Sequence, residues 1–142
     1  MANMDIKLDQ NLFKYNESDD GELSKAMIYK SAPYVVGVFK ANLQKSIGRG
    51  KGESKSKGAL LASVGLSKMS KDKKGFWNLK IGFSGKDENG VRNGLKAGVL
   101  EHGKSNQTPR PFAAPTARQV KSRVAEIMQK TLDEEIEKRG NT

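Results

Sequence analysis

The sequence of 142 residues contains no cysteine and only one histidine. Without cysteine, the chain forms no disulfide and no thiolate-bound metal site. A single histidine also excludes a metal centre built from several imidazoles. The remaining residues show no catalytic arrangement of nucleophile, base and acid. We therefore predict no catalytic residue, no bound metal and no cofactor.

Long hydrophobic runs are also missing. Hydrophobic residues make up 35% of the chain, and no apolar run approaches the length of a membrane span. Residues 1–10 alternate polar and apolar side chains and lack the apolar centre of a signal peptide. We expect one modest core in a single domain over residues 1–142, made and kept in a reducing cytoplasm or in a particle assembled there.

Positive charge is plentiful and unevenly distributed. The formal net charge is +10, and residues 40–80 hold eleven Lys or Arg against two acidic residues, a local net charge of +9. Such a segment suits binding to nucleic acid, or else is a solvated, lysine-rich loop. The basic loop residues are Arg49, Lys51, Lys55, Lys57, Lys71, Lys73 and Lys74.

The first half of the chain shows both helical and strand-like spacing of apolar residues. Residues 4–8 alternate and predict a short strand. A helical pattern begins at Glu22, and Pro33 within it predicts a kink or a restart. Ser31 would cap a second piece of helix, and Gly48 would end it.

The second half begins with an alternating strand pattern over 76–83, preceded by a basic hairpin tip at 67–75. Turn signals follow at 89–90 and 93–94. A short helix is then predicted over 95–102, with Gly103 as its C-terminal cap.

An extended loop with three prolines at 104–115 leads to an amphipathic helix predicted over 116–138. Together these elements indicate an α+β fold. An antiparallel β-sheet would pack against a long N-terminal helix and a C-terminal amphipathic helix. Long, flexible basic loops are expected at 48–58 and 68–75.

One sequence motif suggests nucleotide binding. Residues 98–105 match the phosphate-binding loop pattern G-x-x-x-x-G-K-S, in which Lys104 would reach the phosphates and Ser105 would bind magnesium. The motif needs a buried strand before it and a long helix after it. Here VRNGLKA precedes it, and Pro109 and Pro111 follow. The sequence therefore favours a chance match, and a nucleotide-dependent enzyme is the least favoured of three function classes.

Two weaker patterns have ordinary structural interpretations. Glu101 and His102 resemble an acid–base pair, but adjacent residues on a helix point away from each other. Phe76 and Trp77 beside lysines resemble a stacking platform for single-stranded nucleic acid. Their place in an alternating strand favours core-facing residues instead.

Residues 100–117 read LEHGKSNQTPRPFAAPTA. This segment resembles the signature of the phage tail-completion family, which is roughly Glu-aromatic-Gly-Thr-Ser, a short polar stretch, Pro-Phe, two residues and Pro-Ala. His102 stands at the aromatic position, Lys104 where threonine is usual, and Thr116 where alanine is usual. The matching positions are Glu101, Gly103, Ser105, Pro111, Phe112 and Pro115.

The resemblance continues along most of the chain in the right order. Residues 32–43 look like the first helix of the family, and GALLAS at 58–63 looks like its Gly-x-Leu-x-x-Ser segment. Residues 82–85 and 89–90 look like the strand and turn before the signature. Phe112, between two prolines, is expected to anchor the loop on the core and set the direction of the last helix.

The resemblance implies a structural, non-enzymatic subunit of the neck of a long-tailed bacteriophage. Such proteins form rings, commonly of six copies, between the tail tube and the head connector. The implied partners are other copies of the chain, the tail-tube protein, the connector and the genome DNA that passes through the ring. The implied location is the virion, assembled in the host cytoplasm and without membrane contact. The alternative is a basic module that binds nucleic acid without regard to sequence.

Overall fold

The structure, a computed structural model, describes residues 4–7, 22–47, 59–87, 89–105 and 108–140. Within these ranges the chain forms four helices and four strands. The helices are α1 (Glu22–Ile47), α2 (Ala59–Ala62), α3 (Asn93–His102) and α4 (Ala113–Gly140). The strands are β1 (Met4–Lys7), β2 (Val64–Leu66), β3 (Ser70–Lys71) and β4 (Trp77–Phe83). The predicted α+β class, with a long N-terminal and a long C-terminal helix, is therefore confirmed.

The four strands form one antiparallel sheet in which β4 is the shared partner. β1 pairs along one side of β4, and β2 and β3 pair along the other. Ile6 of β1 lies opposite Leu79 of β4, and both are buried, as is Ile81. Because side chains alternate along a strand, these residues form one apolar face of the sheet. The strand predicted over 76–83 is confirmed, with its first residue at Trp77.

Helix α1 runs without interruption through Pro33. The prediction that the helix restarts there, with Ser31 as an N-cap, is wrong. Ser31 is buried inside the helix, and its hydroxyl donates to the carbonyl of Met27 at 2.8 Å. Pro33 lies on the exposed face, so its ring points away from the core. Buried residues before and after it, such as Ile28 and Val35, hold the helix together by packing.

Helix α4 lies antiparallel to α1, because Asn42 near the end of α1 contacts Thr116 near the start of α4. The amphipathic helix predicted over 116–138 is confirmed, and it begins three residues earlier, at Ala113. Its apolar stripe is buried at Val120, Met128 and Leu132. These residues join α1 and the sheet in the shared hydrophobic core.

The connection between β4 and α3 differs in part from the sequence prediction. A turn forms at 87–90, as predicted from Asn89-Gly90. The turn predicted at 93–94 is wrong, because α3 begins at Asn93. Asn93 is buried, its side-chain amide donates to the carbonyl of Ser84 at 2.9 Å, and its backbone N–H donates to Gly85 at 3.0 Å. These two bonds hold the residue at the helix start.

The two segments predicted to be flexible basic loops have different outcomes. The segment 48–58, with Arg49, Lys51, Lys55 and Lys57, lies outside the described residues. The segment 68–75 contains β3 and a turn closed by the Asp72 carboxylate, which accepts from the backbone N–H groups of Lys74 and Phe76 at 2.9 and 3.0 Å. The mobility of 68–75 stays a prediction.

Among the described residues, no helix combines the length and the apolar character needed to cross a membrane.

Candidate functional site

The junction between α3 and α4 brings together most of the signature residues. Glu101, in the last turn of α3, is buried, and its carboxylate faces the first turn of α4. It accepts hydrogen bonds from the backbone N–H groups of Phe112 at 2.9 Å, Ala113 at 2.7 Å and Ala114 at 3.4 Å. A carboxylate at this position also interacts favourably with the positive end of the helix dipole.

The unpaired donors at the start of α4 are thereby accounted for. A helix start leaves its first backbone N–H groups without partners inside the helix. Glu101 serves those of residues 112–114, Pro115 has no N–H, and the N–H of Thr116 donates to the carbonyl of Phe112 at 3.2 Å. Glu101 therefore acts as an N-terminal cap supplied from another helix, and it does not form an acid–base pair with the exposed His102.

Gly103 ends α3 in the way that the sequence predicted. Its φ of 75° lies in a region that disfavours side chains, and its N–H donates to the carbonyl of Val99 at 2.7 Å. The chain then returns alongside α3, where the N–H of Arg110 donates to the carbonyl of Leu100 at 2.7 Å. The glycine and this return path bring α4 to the end of α3.

Phe112 is the apolar anchor of the junction. Its side chain is fully buried, and its ring meets Phe39 of α1 edge-on at 5.4 Å and Phe83 of β4 edge-on at 5.9 Å. Phe39 and Phe83 are themselves 5.9 Å apart. One helix, one strand and the start of α4 therefore meet in a single aromatic cluster. The predicted burial of Phe112 is confirmed.

A second set of polar contacts fastens the end of α1 to the same junction. The amide of Asn42 donates to the hydroxyl of Thr116 at 2.9 Å and to Gln119 at 3.0 Å. The hydroxyl of Ser46 donates to the carbonyl of Pro111 at 3.1 Å, and the guanidinium of Arg110 donates to the Ser46 carbonyl at 3.2 Å.

These contacts were missed from the sequence because their partners lie 64 to 77 residues apart. The available signal was the lack of a capping side chain before the Ala-Ala-Pro of α4, which required a cap from elsewhere. Thr116 stands where the signature that this segment resembles has alanine, and it takes part in three hydrogen bonds of the junction. Its hydroxyl accepts from Asn42 and donates to the carbonyl of Phe112 at 2.6 Å, and its N–H donates to the same carbonyl.

The remaining signature residues lie at the edge of the junction. Ser105 and Pro111 are exposed, and Pro115 is half-buried in the first turn of α4. Residues 98–102 of the phosphate-loop match belong to α3. A phosphate-binding loop needs backbone N–H groups that point together at a ligand, and a helical segment does not provide that arrangement.

Three of the residues predicted to form basic loops lie together on a separate surface, the hairpin of β3 and β4. Lys71, Lys73 and Lys74 are exposed there. The ammonium group of Lys71 lies 4.9 Å from the centre of the Trp77 ring, and that of Lys25 from α1 lies 4.2 Å from it. Such contacts are cation–π interactions. Trp77 is half-buried and engaged by two lysines, so it does not offer an open ring on which a base would stack.

Among the ionisable groups that the structure describes, Asp87 has a clearly shifted pKa. The ammonium group of Lys96 donates to Asp87 at 2.9 Å, and this bond lowers the pKa of the Asp87 carboxyl. Backbone N–H groups of Val91 and Asn89, each at 2.9 Å, lower that pKa further. The group fastens the 87–91 turn to α3. It is therefore a structural contact rather than a general acid or base.

A shallow apolar groove of about 220 Å³ lies between β1, α1 and α4. The apolar residues that line it are Met4, Ile6, Val35, Val120, Val124 and Met128. Two exposed charged residues, Asp5 of β1 and Lys121 of α4, also line the groove. Such a lining suits contact with apolar groups rather than bond-breaking chemistry.

No family model, no curated protein and no solved structure matches this chain.

Proposed function

We propose that this protein is a structural subunit of the neck of a long-tailed bacteriophage. In this role it is a tail-completion, or head–tail joining, protein that forms a ring between the tail tube and the head connector. The observation that carries the proposal is the α3–α4 junction. Glu101, Gly103, Phe112 and Pro115, which resemble the family signature, converge there, and each has a defined structural task.

The chemistry of the junction favours a structural role over a catalytic one. Glu101 is buried, and its oxygens accept bonds from three backbone N–H groups. A carboxylate engaged in this way is poorly suited to proton transfer with a substrate. The aromatic cluster around Phe112 is equally closed. A stiff connection between two helices is useful in a subunit that must hold its shape between two larger assemblies.

The proposed partners follow from this role. They are other copies of the chain in the ring, the tail-tube protein on one side and the head connector on the other. The proposed location is the virion, after assembly in the host cytoplasm. No cofactor and no reaction are part of the proposal.

The second candidate is a basic module that binds nucleic acid without regard to sequence. The exposed lysines of the β3–β4 hairpin favour it, namely Lys71, Lys73 and Lys74. Lysines attract phosphates by charge alone and do not distinguish bases. The two candidates are compatible if the hairpin faces the channel through which the genome passes.

Head–tail joining is the direct test. The gene is disrupted in the source phage or prophage, and the particles are viewed by electron microscopy. We expect filled heads and separate tails, and joined particles should reappear when the purified protein is added. A Phe112→Ala protein serves as the inactive control. Normally joined particles in the absence of the protein would contradict the proposal.

A further inference from the structure

Helix α1 has a long face that the rest of the described chain leaves open. Tyr29 is 55% exposed and Tyr34 is 37% exposed. Pro33, Gly37 and Ala41 are exposed beside them at spacings of three and four residues, which places them on one side of the helix. Lys30 and Lys40 are exposed on the same side of the helix. We call these seven residues the α1 face.

Gly37 lies at the centre of the α1 face. Glycine inside a helix is less favourable than alanine. An added Cβ at Gly37 would meet no atom within 4 Å, so packing among the described residues does not require the glycine. Without a side chain there, a helix from another molecule can approach the backbone of α1 closely.

A cluster of acidic residues lies near the end of α4. Residues 133–137 contain four acidic residues and no basic residue, a net charge of −4, while the whole chain has +10, and Lys138 and Arg139 follow the cluster. Asp133 and Glu137 are exposed there and, being four residues apart, lie on one side of the helix. Ile136, three residues after Asp133, lies beside them and is 44% exposed. We call these three residues the α4 acidic end.

We propose that the α1 face of one copy of this chain binds the α4 acidic end of a second copy. The two surfaces are opposite in charge, and each presents large exposed side chains, Tyr29 and Tyr34 on one and Ile136 on the other. Asp133 and Glu137 would meet Lys30 and Lys40, while Ile136 would lie on the tyrosines above Gly37. Tyrosine supplies large contact area at interfaces, and opposite charges set the orientation of the partners.

The contact joins two different surfaces of the same chain, so a pair of copies retains one free α1 face and one free α4 acidic end. Repetition of such a contact generates rings when the rotation closes. The inference therefore rests on the proposed function for the expectation of a ring. The contact itself follows from the charges and exposed side chains of the two surfaces.

The contact is tested with two charge-reversal variants, each measured alone and then in a mixture of the two. One double variant carries Lys30→Glu and Lys40→Glu, and the other carries Asp133→Lys and Glu137→Lys. Self-association is measured by analytical ultracentrifugation at low and near-physiological salt. We expect the wild type to associate and each double variant alone to associate at least about tenfold more weakly, because like charges then face each other. An equimolar mixture of the two variants should associate like the wild type.

A glycine series separates the contact from folding. Gly37→Ala and Gly37→Gln should raise Tm by about 2–4 °C, because both residues favour helix, and should weaken association. Gly98→Ala in α3 is the matched control, since a Cβ there also meets nothing within 4 Å. It should raise Tm and leave association unchanged. Damage to the fold cannot produce a more stable subunit that associates less.

The result that overturns the inference is a wild type that stays monomeric at high concentration, or double variants that associate as the wild type does. Lys74→Glu on the hairpin, with the same change of charge per residue, should have no effect on association. The head–tail joining assay is scored separately. A protein that restores joining but does not self-associate refutes the contact alone. Joined particles in the absence of a protein that does self-associate through the two surfaces refute the neck function and leave the contact standing.

Discussion

The carboxylate of Glu101 lies 2.9 Å from the backbone nitrogen of Phe112, so the end of one helix caps the start of the next. Glu101→Ala would leave three backbone N–H groups without this partner in a buried setting. We expect the free energy of unfolding to fall by about 2–3 kcal/mol. Glu101→Gln keeps one acceptor oxygen but loses the charge, and we expect a loss of about 1 kcal/mol. Urea denaturation measures both.

The control for these variants is Glu126→Gln, an exposed carboxylate on α4 whose ion pair with Arg123 is at the surface. Its effect should stay within about 0.5 kcal/mol. Equal effects of the Glu101 and Glu126 changes would show that Glu101 is not the cap of α4.

Phe112→Ala should destabilise the fold by about 3–5 kcal/mol, as expected for a buried phenylalanine. The cavity would open among Phe39, Phe83 and α4, where all three rings meet. Phe112→Leu fills much of the space and should cost less. If thermal melting is unchanged and assembly alone fails, Phe112 belongs to an interface and its role as a core anchor is wrong.

Acid should weaken the turn that Asp87 holds. Because the pKa of Asp87 is lowered in the folded protein, its contribution to stability is complete above the unfolded pKa of about 3.9. That contribution is lost as the pH falls through the lower folded value. Asp87→Asn should therefore lower Tm at pH 7. The difference in Tm between this variant and the wild type should become smaller as the pH falls below the reference pKa of about 3.9. A constant difference across this range would show that the charge of Asp87 is irrelevant.

ATP should not bind, despite the motif at 98–105. Most of that segment is the helix α3, whose N–H groups bond within the helix rather than to a ligand. Isothermal calorimetry with magnesium and ATP should give no heat of binding. Micromolar affinity that disappears in Lys104→Ala would refute this prediction.

Any binding of DNA by the hairpin lysines should be weak and independent of sequence. Flexible lysines neutralise phosphates, and that contribution falls steeply with salt. Titrations with two unrelated duplexes should give equal affinities that collapse at near-physiological salt. A reversal of Lys71, Lys73 and Lys74 to Glu should abolish the low-salt binding. A preference for one duplex that survives the higher salt would favour the nucleic-acid-binding class.

The periodic spacing of apolar residues in the sequence was sufficient to predict the main helices and strands of the fold. Strand β4 and helix α4 are each long enough to show their repeat, and Gly103 ends α3 as a glycine cap would. Pro33 misled the prediction of α1, because packing of the buried faces outweighs one missing hydrogen bond. The polar contacts of the junction were not predictable in the same way, since they join residues that are distant in the chain and depend on how three elements meet.

The junction also governs geometry far from itself. Helix α4 has 28 residues and is therefore about 42 Å long at 1.5 Å per residue. The side chains of Glu101 and Asn42 form hydrogen bonds with the first two turns of α4 and fasten that end to the rest of the subunit. A tilt of about 5° at this clamped end would move the opposite end by almost 4 Å over the length given by the helical rise. Substitutions at Glu101 that leave the subunit folded should therefore displace the C-terminal end of α4 more than its start.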